Sequence, residues 1–252
     1  MSSIVKLKKE RVDTLLVKYN LSETRSKAQA MIMAGQVFVE NKKIIKSSET
    51  YLEGTKFKIK ELHPEWVSRG ALKLTHAINN FNINIKNKIC LDIGSSTGGF
   101  SQVLLKGDAK KIYSIDVGKN QLHEKLRNEK KIISMEKTNA RYIDQRLIKD
   151  KIDLIVCDVS FISMKIVLKN CVQLLNRDSG IIIGLIKPQF ETSKNEIKKG
   201  GIIKDEKVHQ RICSDFEKWF KNELSMNIIG IALSPILGQK GNKEFLIAAD
   251  FN

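Results

Sequence analysis

From residue 11 to residue 34 the apolar positions follow a helical period. Val12, Leu15, Leu16 and Tyr19 share one face, and Ala28, Met31 and Ile32 mark a second helix over 24–34. Ser22 is the expected cap of that helix and Gly35 its stop. Short β-rich runs follow at Val37–Val39, Lys43–Ile45 and Lys56–Lys60, the last alternating charged and apolar residues as a half-exposed strand does. Leu62-His-Pro64-Glu65 breaks the pattern, since Pro64 biases His63 away from helix. Beyond it, apolar runs at Lys88–Asp92, Lys111–Asp116, Lys131–Met135, Ile152–Asp158 and Gly180–Lys187 alternate with helical segments. Met226–Ser234 and Glu244–Asp250 close the series. Runs this continuously apolar suit a sheet covered on both faces. The short link Pro235–Asn242 suits an antiparallel last pair. An α/β fold is therefore expected behind a small α+β module, with boundaries at 1–61, a linker at 62–68, and 69–252.

With 252 residues, 42% of them hydrophobic, the chain can bury two cores. No apolar stretch approaches the roughly 20 residues of a membrane span, and residues 1–10 lack the apolar segment of a signal peptide. A cytoplasmic protein without stable membrane insertion is expected. The cysteines (Cys90, Cys157, Cys171, Cys213) are widely spaced and form no C-x-x-C pair, so neither a metal site nor a disulfide framework is expected. Lysine and arginine outnumber the acids 44 to 28, a formal charge of +16. That excess suits a polyanion, because neutralised phosphates supply most sequence-independent affinity for nucleic acid.

Residues 90–100, Cys-Leu-Asp-Ile-Gly-Ser-Ser-Thr-Gly-Gly-Phe, read as a strand ending in an acid, a turn of small residues and a helix start. Ligands of open α/β sheets sit at such strand ends. A dinucleotide fingerprint would need a glycine where Ser96 stands. A single nucleoside is the better fit, and S-adenosyl-L-methionine is the obvious candidate. Gly94, Ser95, Ser96, Thr97, Gly98 and Phe100 are the expected loop contacts. Asp116 ends the next strand, where nucleoside folds accept ribose hydroxyls. Asn139, after the third strand, is placed to reach the adenine.

Arg11-Val-Asp, then Thr-Arg25-Ser-Lys27-Ala28, then Ala-Gly35-Gln-Val37-Phe-Val39 resemble the small RNA-binding domain named after ribosomal protein S4. The resemblance implies that Arg11, Arg25 and Lys27 grip structured RNA. Four polar residues at the ends of apolar elements, Lys73, Asp158, Lys187 and Glu244, resemble the catalytic set of the FtsJ-type ribose 2′-O-methyltransferases. Ser68-Arg69-Gly70-Ala71 and Cys157-Asp158-Val-Ser160 extend it, with Arg69 as a further RNA contact. The whole chain is similar to the TlyA family, which implies a Rossmann-like S-adenosylmethionine-dependent methyltransferase sheet acting on ribosomal RNA.

On that resemblance Lys187 is the expected base or alkoxide stabiliser, and Lys73 orients the ribose hydroxyl. Asp158 and Glu244 fix the two ammonium groups, and Asp158 also lies beside the cofactor's methionine moiety. A non-catalytic RNA-binding assembly factor, a membrane-lytic haemolysin and a nicotinamide dehydrogenase are the competing expectations.

Overall fold

The computed structural model describes residues 8–33, 35–60, 65–197 and 200–251. The chain divides into two compact units, residues 1–65 and 66–252. Of the expected linker, residues 62–64 lie outside the described residues. Trp66 belongs with the larger unit: the Lys106 ammonium lies 4.0 Å above its ring, and Val67 N donates to Gln102 Oε1 at 2.7 Å.

The smaller unit runs β1 (Lys9–Arg11), α1 (Val12–Lys18), α2 (Arg25–Met33), β2 (Val37–Val39), β3 (Lys42–Lys43), β4 (Thr50–Leu52) and β5 (Phe57–Ile59). Val12, Leu16, Ala28, Ile32, Val37 and Ile44 form its core, so the helical period of the sequence marks the buried faces. Thr24 rather than Ser22 caps α2: its Oγ1 accepts from Lys27 N at 3.1 Å, whereas Ser22 Oγ donates to the Thr24 carbonyl. The expected strand at 43–45 is shifted to Lys42–Lys43, because Ile44 turns into the core. The antiparallel β1–β4 pair carries too little apolar alternation to show in the sequence.

The larger unit runs α3 (Gly70–Asn80), β6 (Ile89–Ile93), α4 (Gly99–Lys106), β7 (Lys111–Ile115), α5 (Glu124–Arg127), β8 (Ile132–Met135), β9 (Leu154–Cys157), α6 (Met164–Cys171), β10 (Ile181–Ile186), α7 (Pro188–Glu191), α8 (Glu206–Glu223), β11 (Asn227–Leu233) and β12 (Phe245–Asp250). Its seven strands lie in the order β11-β12-β10-β9-β6-β7-β8. All pairings are parallel except those of β12, which runs antiparallel to both neighbours. Apolar clusters cover both faces, as the unbroken strands require. The strand order reverses between β6 and β9, which opens a crevice at their carboxyl ends.

Candidate active site

Sheet register, not sequence proximity, assembles the site. Ile93 pairs with Cys157, so Asp158 leaves β9 beside the loop that leaves β6. Ile186 pairs with Phe245 in antiparallel sense, so Lys187 leaves β10 where Glu244 enters β12. Helix α3 packs near β12 and brings Lys73 to the same end. The Lys73 ammonium donates to Glu244 Oε2 at 2.7 Å and lies 3.8 Å from Asp158 Oδ2. Lys187 Nζ lies 2.5 Å from Asp158 Oδ1 and donates to Ser160 Oγ at 2.9 Å. The four expected side chains thus form one chain of alternating charge, Glu244–Lys73–Asp158–Lys187.

All four are largely withdrawn from water; Glu244 is 2% exposed, Lys187 7% and Lys73 8%. Burial by itself would lower the Lys73 ammonium, but Asp158 and Glu244 outweigh it and hold the group above its ordinary value. Burial would likewise raise the Asp158 carboxyl, and the ammonium groups of Lys187 and Lys73 hold it below instead. Arg69, just ahead of α3, feels the Glu244 charge, while burial pulls its guanidinium down. It therefore borders the cluster.

The small-residue loop is pressed tightly against its neighbours. Gly94 has φ +80°, and a Cβ there would come 2.6 Å from the Asp158 carbonyl oxygen. Gly98, at φ +96°, passes so close to Leu122 and Leu126 that a side chain would overlap both. Asp116 ties the loop down: Oδ2 accepts from Ser96 N at 2.8 Å and Oδ1 from Gly118 N at 2.7 Å. Ser95 is buried, Ser96 exposed with φ +47°, and Thr97 half-buried, its carbonyl accepting from His123 N. Two carboxylates, Asp116 and Asp158, therefore flank an open backbone loop, an acceptor set suited to hydroxyl donors on one side and a cationic group on the other. The Phe100 ring packs into the core facing Gly70, so only its backbone borders the loop. Asn139 Oδ1 accepts from Arg141 N and Nε, capping the short turn at 140–142. Among the described residues no group of side chains could hold a metal ion.

Several contributors were not among the expected site residues. Ser160 anchors Lys187. Gly238 faces Glu244 so closely that any Cβ would collide with the carboxylate. Phe161 is 81% exposed with φ +66°, a conformation costly for a bulky residue, and its ring lies 5.2 Å from that of Phe190. Beneath the loop, fully buried Asp92 accepts from Ser101 Oγ at 2.6 Å, and Ser101 in turn meets Ser114. Desolvation pushes the Asp92 carboxyl up to about 7, and its second oxygen has no hydrogen-bond partner. Ser160 and Asp92 sat within the quoted motifs without a role, and only a three-dimensional contact distinguishes Gly238, Phe161, Ser101 and Ser114 from ordinary loop and strand residues.

In the smaller unit, Arg11 and Arg25 converge on one acid. Arg11 donates from Nε and Nη2 to the two oxygens of Asp13 at 3.0 and 2.8 Å, and Arg25 Nε donates to Oδ2 at 3.1 Å. Lys27 pairs separately with exposed Glu23 at 2.6 Å.

The family models agree with this division. An FtsJ-like methyltransferase model matches residues 66–251, and an S4 domain model matches residues 10–55. The chain is 36% identical to the 16S/23S rRNA (cytidine-2′-O)-methyltransferase TlyA of Mycobacterium tuberculosis, over 95% of this chain and 89% of that protein. It is 39% identical to the 23S rRNA (cytidine-2′-O)-methyltransferase TlyA of Campylobacter jejuni, over 91% and 95%. A solved Streptococcus thermophilus structure described as a hemolysin superposes with a TM-score of 0.73 at 37% identity, covering 96% of this chain and 88% of that one. Fold, strand-end charges and matched models together show that this chain belongs to the FtsJ-like methyltransferases that carry an S4 domain in front.

Proposed function

We propose that this protein transfers a methyl group from S-adenosyl-L-methionine to the 2′-hydroxyl of a cytidine in ribosomal RNA. The observation that carries the reading is the convergence of Lys73, Asp158, Lys187 and Glu244, remote in sequence, on one buried cluster beside the loop at 94–98. The names of the two TlyA relatives supply the nucleotide and the RNA class. When bound, the cofactor supplies an activated methyl on a sulfonium. The remaining work is to place a weak nucleophile in line and relieve it of its proton.

Each side chain has a task that its surroundings suit. Lys73, held as a cation by two carboxylates, orients the ribose oxygen and stabilises the negative charge that develops on it. Lys187, anchored by Asp158 and Ser160, is the base or alkoxide stabiliser. Glu244 locks Lys73 by a charge-assisted hydrogen bond. Asp158 joins the two lysines and borders the cofactor loop through its own backbone. Gly94, Ser95, Ser96, Thr97, Gly98 and the Phe100 backbone would cradle the nucleoside, with Asp116 on the ribose and Asn139 near the adenine. Exposed Phe161, packed on half-buried Phe190, gives a base somewhere to pack at the rim. Arg11, Arg25, Lys27 and Arg69 contact the RNA, which places the protein in the cytoplasm with its substrate. No described helix is long and apolar enough to cross a membrane, so the hemolysin description of a relative gains no support from a spanning helix.

The test is methyl transfer from radiolabelled cofactor to purified rRNA, with the marks mapped on both subunits. Lys187→Ala should abolish transfer and leave RNA affinity nearly intact. Wild-type turnover in that variant would refute the assignment, and a wild-type enzyme that binds rRNA without modifying it would favour the assembly-factor reading.

A further inference from the structure

Asp13 is the most thoroughly engaged acid of the smaller unit, and methyl-transfer chemistry has no use for it. Its side chain is fully buried, yet two of its partners, Arg11 and Arg25, are 41% and 56% exposed. Gln29 Nε2 also donates to Oδ2, at 2.8 Å. An acid in the first turn of a helix commonly serves the helix's own N–H groups. Here that service is absent from the hydrogen bonds around it: Val12 N donates to the Glu49 carbonyl, and the Asp13 carboxylate accepts from side chains, those of Arg11, Arg25 and Gln29 and, at 3.5 Å, the Thr14 hydroxyl. The arginines and Gln29 hold its carboxyl well below the usual carboxylate range despite burial.

The geometry fixes the two guanidinium groups relative to each other. Arg11 Nη2 and Arg25 Nε share one oxygen, which keeps those nitrogens within about 6 Å, a gap that one phosphate group can bridge. Asp13 uses only Nε of Arg25 and leaves both of its Nη atoms for another acceptor; for Arg11 the Nη1 side remains. Two long side chains that would otherwise lose rotamer freedom on binding are thus ordered in advance.

We infer that Asp13 is a positioning residue that presets Arg11 and Arg25 as a clamp for a single backbone phosphate of the RNA. This deepens the proposed function and rests on its RNA reading. The inference makes a counterintuitive demand. Removing a negative charge from a polyanion-binding face should strengthen binding if charge alone mattered, whereas here it should weaken it.

The experiment compares full-length wild-type protein with Asp13→Asn in binding purified deproteinised rRNA across a salt series, alongside methyl-transfer kinetics. Asp13→Asn should lose about tenfold in RNA affinity, with a correspondingly higher KM for RNA and unchanged kcat. The salt slope should shrink by about one unit, as expected when one phosphate contact is lost. Asp13→Glu should recover part of the loss. Arg25→Lys guards against misfolding: it keeps the formal charge and removes only the pinned fork, so it too should bind more weakly. Unchanged or tighter binding by Asp13→Asn or Arg25→Lys would overturn the inference. So would weak binding that tracks the loss of circular-dichroism signal and protease resistance, which would mark a role in stability alone. If wild-type protein itself shows no salt-dependent rRNA binding, the RNA reading fails rather than the clamp.

Discussion

Asp13 in the smaller unit and Glu244 in the larger are carboxylates with almost no exposure, each bonded to cations, and they use that arrangement in opposite ways. Asp13 holds two arginines whose side chains reach the surface, and the group carries one net positive charge. Glu244 and Asp158 hold two lysines that are themselves buried, and their quartet is neutral. The choice of cation follows the task. Arginine stays charged and presents a planar fork, which suits gripping phosphate. Lysine's ammonium can give up a proton in a desolvated setting, which suits chemistry. On the proposed function, one buried acid organises a binding face and the other a reaction centre.

The comparison breaks most visibly when a cation is removed. Lys73→Met strands Glu244, and the larger unit should lose about 3–5 kcal/mol, as expected for a buried pair deprived of one partner. The double variant Lys73→Met/Glu244→Met should regain most of that loss while remaining inactive. Both tryptophans, Trp66 and Trp219, lie in the larger unit, so denaturant titration followed by tryptophan fluorescence reads that unit alone. Arg25→Ala leaves Asp13 with Arg11 and Gln29, and the tryptophan transition should not move. A Lys73→Met protein as stable as wild type would show that Glu244 does not depend on its partner.

A second contrast is in pH. Asp92 has a carboxyl raised to about 7, so the folded form holds its proton more tightly than the unfolded chain. Its contribution is therefore complete below about pH 4, is lost as pH rises toward 7, and is constant above that. The span is on the order of 4 kcal/mol. Asp13 has the opposite sign: its stabilisation is present above about pH 4 and is lost as acid protonates the folded form. Asp92→Asn should flatten the fall in tryptophan-monitored stability between pH 4 and 7. An unchanged slope would assign that fall to other groups.

How much of this was legible in the sequence depended on whether the signal was local. Seven strands of the larger sheet could be read because each is a continuous apolar run, and the antiparallel end followed from the short link before Glu244. The paired strands at 9–11 and 50–52 could not, because their neighbours across the ladder, not their own composition, make them strands. Lys73, Asp158, Lys187 and Glu244 were findable as charges ending apolar elements. Ser160 was visible as part of a motif, but its role depends on the register that brings it to Lys187; that of Gly238 rests on a backbone pressed against Glu244, which leaves no local pattern.

Gly238 offers a finer test of the inward cluster. A methyl group there collides with the Glu244 carboxylate, which must move and take the Lys73 hydrogen bond with it. Gly238→Ala should cost about 1–3 kcal/mol in the larger unit and lower kcat by roughly tenfold or more through misplacement of Lys73, with RNA affinity unchanged. A change in KM for RNA with kcat intact would place this loop in substrate binding instead.

The smallest expected effect separates a buried from an exposed acid of the smaller unit. Glu23 pairs with Lys27 one helical turn away, but 78% of the Glu23 side chain is exposed, so the pair imposes little order. Removing its charge should therefore follow simple electrostatics: Glu23→Gln should bind rRNA about twofold more tightly at low salt, the gain fading as ionic strength rises. Asp13→Asn removes the same charge ten residues earlier in the chain and should bind more weakly. Opposite signs from two identical charge deletions are what a positioning role requires, because a surface acid only opposes the phosphates whereas a buried one also arranges the groups that hold them. Parallel shifts in the two variants would reduce Asp13 to one more charge on a basic face.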